Sequence, residues 1–170
     1  MNLLLFGFKG SGKSRFGKKL AAEMKRPFID TDDLICELYA EEKGERLPIG
    51  DIYRALGAEG FRTWEKEAVF SLENIKASVI ALGGGAILDE ENRIFLEKQG
   101  ILVYLKANPQ TLRERMRKAA FLDPNNWEES FRNLIQERIP LYEAVNCPVV
   151  DVDQLDEPGV LAKLRSLLIF

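Results

Sequence analysis

Eight residues near the amino terminus, Gly7-Phe8-Lys9-Gly10-Ser11-Gly12-Lys13-Ser14, have the spacing G-x-x-x-x-G-K-[ST] and follow an apolar run, Leu3-Leu4-Leu5-Phe6. In such a turn the glycines let successive backbone N–H groups point inward at phosphate oxygens, and the start of the next helix adds partial positive charge. The chemistry that suits Gly10, Ser11, Gly12, Lys13 and Ser14 is therefore the binding of a nucleoside triphosphate. Lys13 reaches the β- and γ-phosphates, and the Ser14 hydroxyl ligates Mg²⁺. A glycine turn without chemistry is the alternative, and the strand before it and the helical pattern after it weigh against that.

The chain contains no histidine, so a general acid or base must come from Asp, Glu, Lys, Tyr or water, with a carboxylate the natural candidate. Asp30 and Asp32 follow a short apolar segment. In phosphoryl transfer one such carboxylate holds the metal shell while another orients the attacking hydroxyl. Asp30-Thr31-Asp32-Asp33 ahead of a helix is equally a good N-cap sequence. Gly83-Gly84-Gly85 costs conformational entropy that a structural turn rarely needs three times over, which points to backbone approaching a ligand closely, with a flexible turn as the alternative. Arg62 and Arg138, each taken singly, read as solvated helix charges. Cys36 and Cys147 lie far apart with no metal or redox spacing, and read as free, partly buried thiols.

The elements that must position these groups alternate. Short apolar strands are predicted at 3–6, 27–30, 78–82, 101–105 and 148–152. Helices are predicted after the loop, through Phe16, Leu20 and Met24 to near 26, and over 34–42, 51–56, 60–73, 89–99, 109–117 and 127–145, with a last one opened by Pro158. Five such strands imply a three-layer α/β domain: a five-stranded parallel sheet with helices on both faces. Ligands then bind at the strands' carboxyl ends. That rule gathers the phosphate loop, Asp30 and Asp32, the three glycines and the segment after Leu105 on one rim. At 170 residues, 46% hydrophobic and 30% charged, a single domain over 1–170 is expected. A net charge of -3 offers no basic field for nucleic acid. No apolar run approaches a membrane span and no leader pattern opens the chain, so a soluble, cytoplasmic protein is expected, with a monomer as the default.

Taken together and in order, Gly7 to Ser14, Asp30-Thr31-Asp32, Gly60-Phe61-Arg62 with Glu65, Leu82-Gly83-Gly84-Gly85, and Arg138-Ile139-Pro140-Leu141-Tyr142 resemble shikimate kinase, a small member of the nucleoside-monophosphate-kinase-like phosphate-loop enzymes. The resemblance covers nearly the whole chain. It implies ATP-dependent phosphorylation of the 3-hydroxyl of shikimate, with ATP and Mg²⁺ as cofactors and no nucleic-acid or membrane partner. It implies that Lys13 and Asp32 are catalytic, that Ser14 and Asp30 serve the metal, and that Asp32 holds the shikimate hydroxyls and takes the proton. Arg62 and Arg138 match the pair that binds the shikimate carboxylate, Glu65 orients Arg62, and the backbone of Gly83, Gly84 and Gly85 matches a substrate-side wall. Substrate-binding helices fall at about 31–73 and a small mobile lid at about 113–126. The family usually carries an Arg-Pro-Leu-Leu stretch on that lid, whereas this chain reads Arg117-Lys118-Ala119-Ala120-Phe121-Leu122 and looks shortened. Either Arg117 or Lys118 covers the phosphate by another route, or transition-state charge stabilisation is weakened. Arg113 and Arg115 are also near, and the resemblance implies that one of them lies against the adenine or phosphates. Arg115 and Arg117 are taken as the nucleotide-side cations, and a solvated basic face over Arg113 to Lys118 at a helix end is the plain alternative. Competing readings are a gluconate or nucleotide kinase of the same architecture, and a nucleotide-binding module without efficient transfer.

Overall fold

The computed structural model describes residues 1–116 and 122–169. Five strands, β1 (Asn2–Phe6), β2 (Phe28–Asp30), β3 (Val79–Ala81), β4 (Gly100–Lys106) and β5 (Val149–Asp151), form one sheet in the order β2-β3-β1-β4-β5. Every pairing is parallel. Seven α-helices lie among the described residues: α1 (Lys13–Met24), α2 (Thr31–Lys43), α3 (Ile49–Phe70), α4 (Glu90–Gln99), α5 (Pro109–Arg115), α6 (Trp127–Glu143) and α7 (Glu157–Ser166).

Residues of β1 explain the layering. Alternate side chains point to opposite faces of a strand. Leu4 and Phe6 enter one core with Leu96 of α4, Leu112 of α5 and Phe131 of α6. Leu3 and Leu5 enter another with Phe16 and Leu20 of α1 and Leu164 of α7. Both faces are therefore dry, which is why the strand reads as a continuous apolar run. A third cluster joins α2 to α3 through Ile35, Ile52, Phe61 and Trp64 and holds those helices beside the sheet's rim.

Several helix starts follow from side-chain caps. Asp89 accepts from Asn92 N–H at 2.9 Å, Asn108 from Thr111 N–H at 2.9 Å, and Asp156 from Gly159 N–H at 2.9 Å. The helix predicted to begin at Leu34 starts three residues earlier, because Asp30 caps it. The two helices predicted over 51–56 and 60–73 are both present and run together as α3 across a kink, where Gly57 takes φ 69 and ψ 176. A short 3₁₀ turn, Ala86–Leu88, follows the triple glycine and carries no periodicity that the sequence reading registers. The predicted lid at about 113–126 includes residues 117–121, which lie outside the described residues. Among the described residues, no helix is long and apolar enough to cross a membrane.

Candidate active site

β1 is central, paired with β3 on one side and β4 on the other; the chain runs from β1 out to β2, back to β3 and across β1 to β4, so the loop after Phe6 sits where strand order reverses. That loop is the phosphate-loop motif. Gly7, Gly10 and Gly12 adopt φ 141, 88 and 96, and a β-carbon at Gly7 would lie 2.5 Å from the Leu105 carbonyl oxygen. Glycine is required there on both counts. Lys13, at the start of α1, donates to the carbonyls of Gly7 and Phe8, both at 2.9 Å, which pins the ammonium across the loop mouth. Its burial there pushes its pKa down to about 8, against the opposing pull of Asp32 and Asp30. At neutral pH it keeps its proton. The Ser11 hydroxyl is fully buried within the same loop and makes no hydrogen bond.

Asp30 resolves two readings that its sequence context leaves in competition. One carboxylate oxygen accepts from Asp32 N–H at 3.0 Å as a helix cap, and the other accepts from the Ser14 hydroxyl at 2.5 Å. Cap and candidate metal ligand are the same side chain. Two residues on, Asp32 faces the boundary between two clefts. Burial pushes its carboxyl up to about 6, with the charge of Asp30 adding to the rise and Lys13 and Lys9 opposing it.

The first cleft is the nucleotide-sized one, lined by Lys13, Ser14, Asp30, Gly10, Gly12 and Arg115. Arg115 donates to the Gly10 carbonyl at 2.8 Å, which fastens the end of α5 to the loop. Arg117, the other predicted nucleotide-side cation, lies outside the described residues. The second cleft has an empty volume of about 580 Å³ and is lined by Arg62, Glu65, Arg138, Tyr53, Phe61 and Gly85, among others. Arg62 and Arg138, distant in sequence, thus meet in one cavity. Arg62 ion-pairs with Glu65, itself 2% exposed. Burial pushes the Glu65 carboxyl up, and Arg62 opposes this.

The triple glycine passes between these groups. None of the three takes a left-handed φ, so their role is room, not conformational freedom. A β-carbon at Gly83 would lie 2.8 Å from Asp32 Oδ1, at Gly84 3.3 Å from Arg138 Nη1, and at Gly85 1.6 Å from Arg62 Nη1. What approaches this backbone is a set of charged side chains. Two residues fix this segment and carried no assigned role in the sequence. Thr31 Oγ1 accepts from Gly83 N–H at 2.8 Å. The fully buried Tyr142 hydroxyl donates to the Gly84 carbonyl at 2.5 Å. Tyr142 stands four residues after Arg138 on α6, the spacing that places two side chains on one helix face, and that was the available signal. Arg138 Nε, like Ser11 Oγ, is buried without a hydrogen-bond partner.

A sequence model of shikimate kinase matches residues 9–168. The chain belongs to the shikimate kinase family. Shikimate kinase from Caldanaerobacter subterraneus subsp. tengcongensis is 37% identical over 173 residues, covering 98% of this chain and 96% of that one. A solved shikimate kinase from Acinetobacter baumannii, in complex with shikimate, superposes with a TM-score of 0.84 at 33% identity, covering 99% of this chain and 92% of that one. A gluconokinase from Sinorhizobium meliloti, at a TM-score of 0.58 and 21% identity, shares the fold alone. Membership of the shikimate kinase family matches the motif order read from the sequence, and the five-stranded parallel architecture is the family's.

Proposed function

We propose that this chain transfers the γ-phosphoryl group of ATP to the 3-hydroxyl of shikimate, giving shikimate 3-phosphate. The observation that carries the reading is the meeting of two guanidinium groups, those of Arg62 and Arg138, in one cleft that abuts a phosphate loop. Shikimate is a hydroxylated ring with one carboxylate. Planar guanidinium forks suit that carboxylate and select against neutral sugars, and the partnerless Nε of Arg138 is a donor of the right kind. Asp32 then faces the ring hydroxyls. Its raised pKa, still below neutrality, leaves a carboxylate able to accept the hydroxyl proton. Lys13 neutralises charge on the transferring phosphate.

Ser14 and Asp30 would hold Mg²⁺. Their oxygens converge within 2.5 Å, and an all-oxygen donor pair fits a hard cation that takes its remaining ligands from phosphate and water. When bound, the metal neutralises charge on the β- and γ-phosphate oxygens. Among the described residues, no cluster of three or more His, Cys, Asp or Glu forms a metal cage, in keeping with a cation that arrives with the nucleotide. Arg115, held to Gly10, faces the nucleotide, with α2 and α3 framing the acceptor and residues about 113–126 covering it as a lid. We take the protein to act as a cytoplasmic monomer.

A coupled ADP-release assay tests the reading, with purified protein, Mg²⁺ and ATP, comparing shikimate, gluconate, nucleoside monophosphates and no acceptor. Release stimulated by shikimate alone supports it. Stimulation by another acceptor reassigns the substrate, and ATP binding without stimulation by any acceptor makes the chain a nucleotide-binding module.

A further inference from the structure

Three residues line both clefts: Lys9, Asp32 and Gly84. A phosphoryl group passing from a nucleotide in one cleft to an acceptor in the other crosses the boundary these residues form. Gly84 offers only backbone and Asp32 is an acid, so among the described residues Lys9 is the cation at the crossing. The other described cations of the clefts divide between the sides: Arg62 and Arg138 line only the acceptor cleft, and Lys13, Arg15 and Arg115 only the nucleotide cleft. Lys9 occupies a corner of the reverse turn closed by Ser11 N–H donating to the Phe8 carbonyl at 3.1 Å, in which Gly10 takes φ 88. The turn thus carries the side chain on the loop that cradles phosphate. Its charge is felt on both sides of the boundary, by the Asp32 carboxyl and by the Lys13 ammonium.

In-line transfer spreads negative charge over the three equatorial oxygens of the phosphoryl group. At this boundary those oxygens approach Asp32, whose own charge opposes them. A cation placed there acts where charge develops, and so stabilises the transition state more than either bound substrate. We propose that Lys9 is a catalytic residue that contacts the equatorial oxygens of the phosphoryl group in transit. This rests on the kinase reading above. The bond between the acceptor oxygen and the γ-phosphorus forms. The bond from the γ-phosphorus to the β–γ bridging oxygen breaks, with its electron pair leaving on ADP, and the hydroxyl proton goes to Asp32. Lys9 acts as a point charge.

The test uses Lys9→Met and Lys9→Arg in the full chain. Lys9→Met should lower kcat by about 30-fold or more, while KM for ATP and shikimate moves less than about threefold. Lys9→Arg should recover kcat to within about fivefold of the parent, because it keeps the charge. A readout independent of turnover is calorimetric titration with ADP alone and with ADP plus Mg²⁺ and aluminium fluoride, which mimics the transferring group, each with and without shikimate. The Lys9→Met protein should bind ADP as the parent does and bind the fluoroaluminate complex about 30-fold more weakly. Unchanged kcat in Lys9→Met overturns the proposal, as does an equal loss of affinity for ADP and for the fluoroaluminate complex, which is the signature of a loop-shaping role. A parent protein that does not turn over shikimate fails the kinase reading itself. In that case the titration without acceptor still decides whether Lys9 meets the transferring group.

Discussion

Gly85→Ala adds one methyl group and should act almost entirely through a residue it does not replace. The backbone at Gly85, φ -94 and ψ -16, is accessible to alanine, so the substitution introduces no backbone strain. The new β-carbon, however, would lie 1.6 Å from Nη1, 2.4 Å from Cζ and 2.6 Å from Nη2 of Arg62. The guanidinium is the mobile partner and must retreat by roughly 2 Å, a displacement at which positioned interactions lose about a hundredfold. Losing a charge-assisted hydrogen bond to the acceptor carboxylate costs about 1.5–3 kcal/mol, or roughly 10- to 150-fold in affinity. We therefore expect the shikimate KM of Gly85→Ala to rise by at least about tenfold with the ATP KM little changed. Steady-state kinetics of Gly85→Ala, Arg62→Ala and the double variant form a cycle that separates the two routes by which the methyl group could act. If it acts through Arg62, the double variant is no worse than Arg62→Ala. Additive losses would refute the reasoning and leave simple obstruction of the cleft, and an unchanged shikimate KM in Gly85→Ala would deny Arg62 its role altogether.

Lys13→Ala should lose about 10²- to 10³-fold in kcat while keeping a near-parental thermal midpoint, since the buried ammonium it removes already resists being charged; parental turnover would remove Lys13 from the chemistry. Tyr142→Phe keeps the ring in its core but strips the hydroxyl from the Gly84 carbonyl. It should cost about 1–2 kcal/mol of stability, read as a fall of a few degrees in thermal midpoint, with a higher shikimate KM; no change in either would show the bond to be idle. Glu65→Gln tests the sign of a pH effect. The folded protein holds the Glu65 carboxyl above its ordinary value of 4.5, so the group's favourable contribution is complete below 4.5 and is lost as pH rises through the raised value. The thermal midpoint of Glu65→Gln relative to the parent should therefore be higher at pH 7 than at pH 4, and the reverse order would show that the ion pair with Arg62 outweighs burial.

The two halves of the candidate site differed in how far the sequence exposed them. The nucleotide half was legible because its parts are contiguous: residues 7–14 form one loop between one strand and one helix, and local spacing carries the whole geometry. Asp30 was legible only as two competing readings, because a sequence does not say that the two oxygens of one carboxylate serve different partners. The acceptor half is assembled from α2, α3, the segment after β3, and α6. Arg62 and Arg138 each look like ordinary helix cations until parallel strands bring their elements to one rim. Lys9 sits at a position where the loop's pattern accepts any residue, so no spacing rule could mark it. Its place at the boundary exists only after the second cleft is built.

The triple glycine shows where an argument from entropy reaches the right place by an incomplete route. Three glycines in succession are costly, and something must approach closely to justify them. The approaching atoms prove to be Asp32, Glu65, Arg138 and Arg62. The two acids lie against Gly83 and the two arginines against Gly84 and Gly85, along a strip of backbone that presents no side chain to them. Thr31 and Tyr142 hold that strip in place through the Gly83 N–H and the Gly84 carbonyl. The cleft's charge pattern is thus set by an absence of methyl groups as much as by the charges themselves. Adding one carbon at Gly83, Gly84 or Gly85 should accordingly disturb acceptor binding through the charged side chain that each glycine meets.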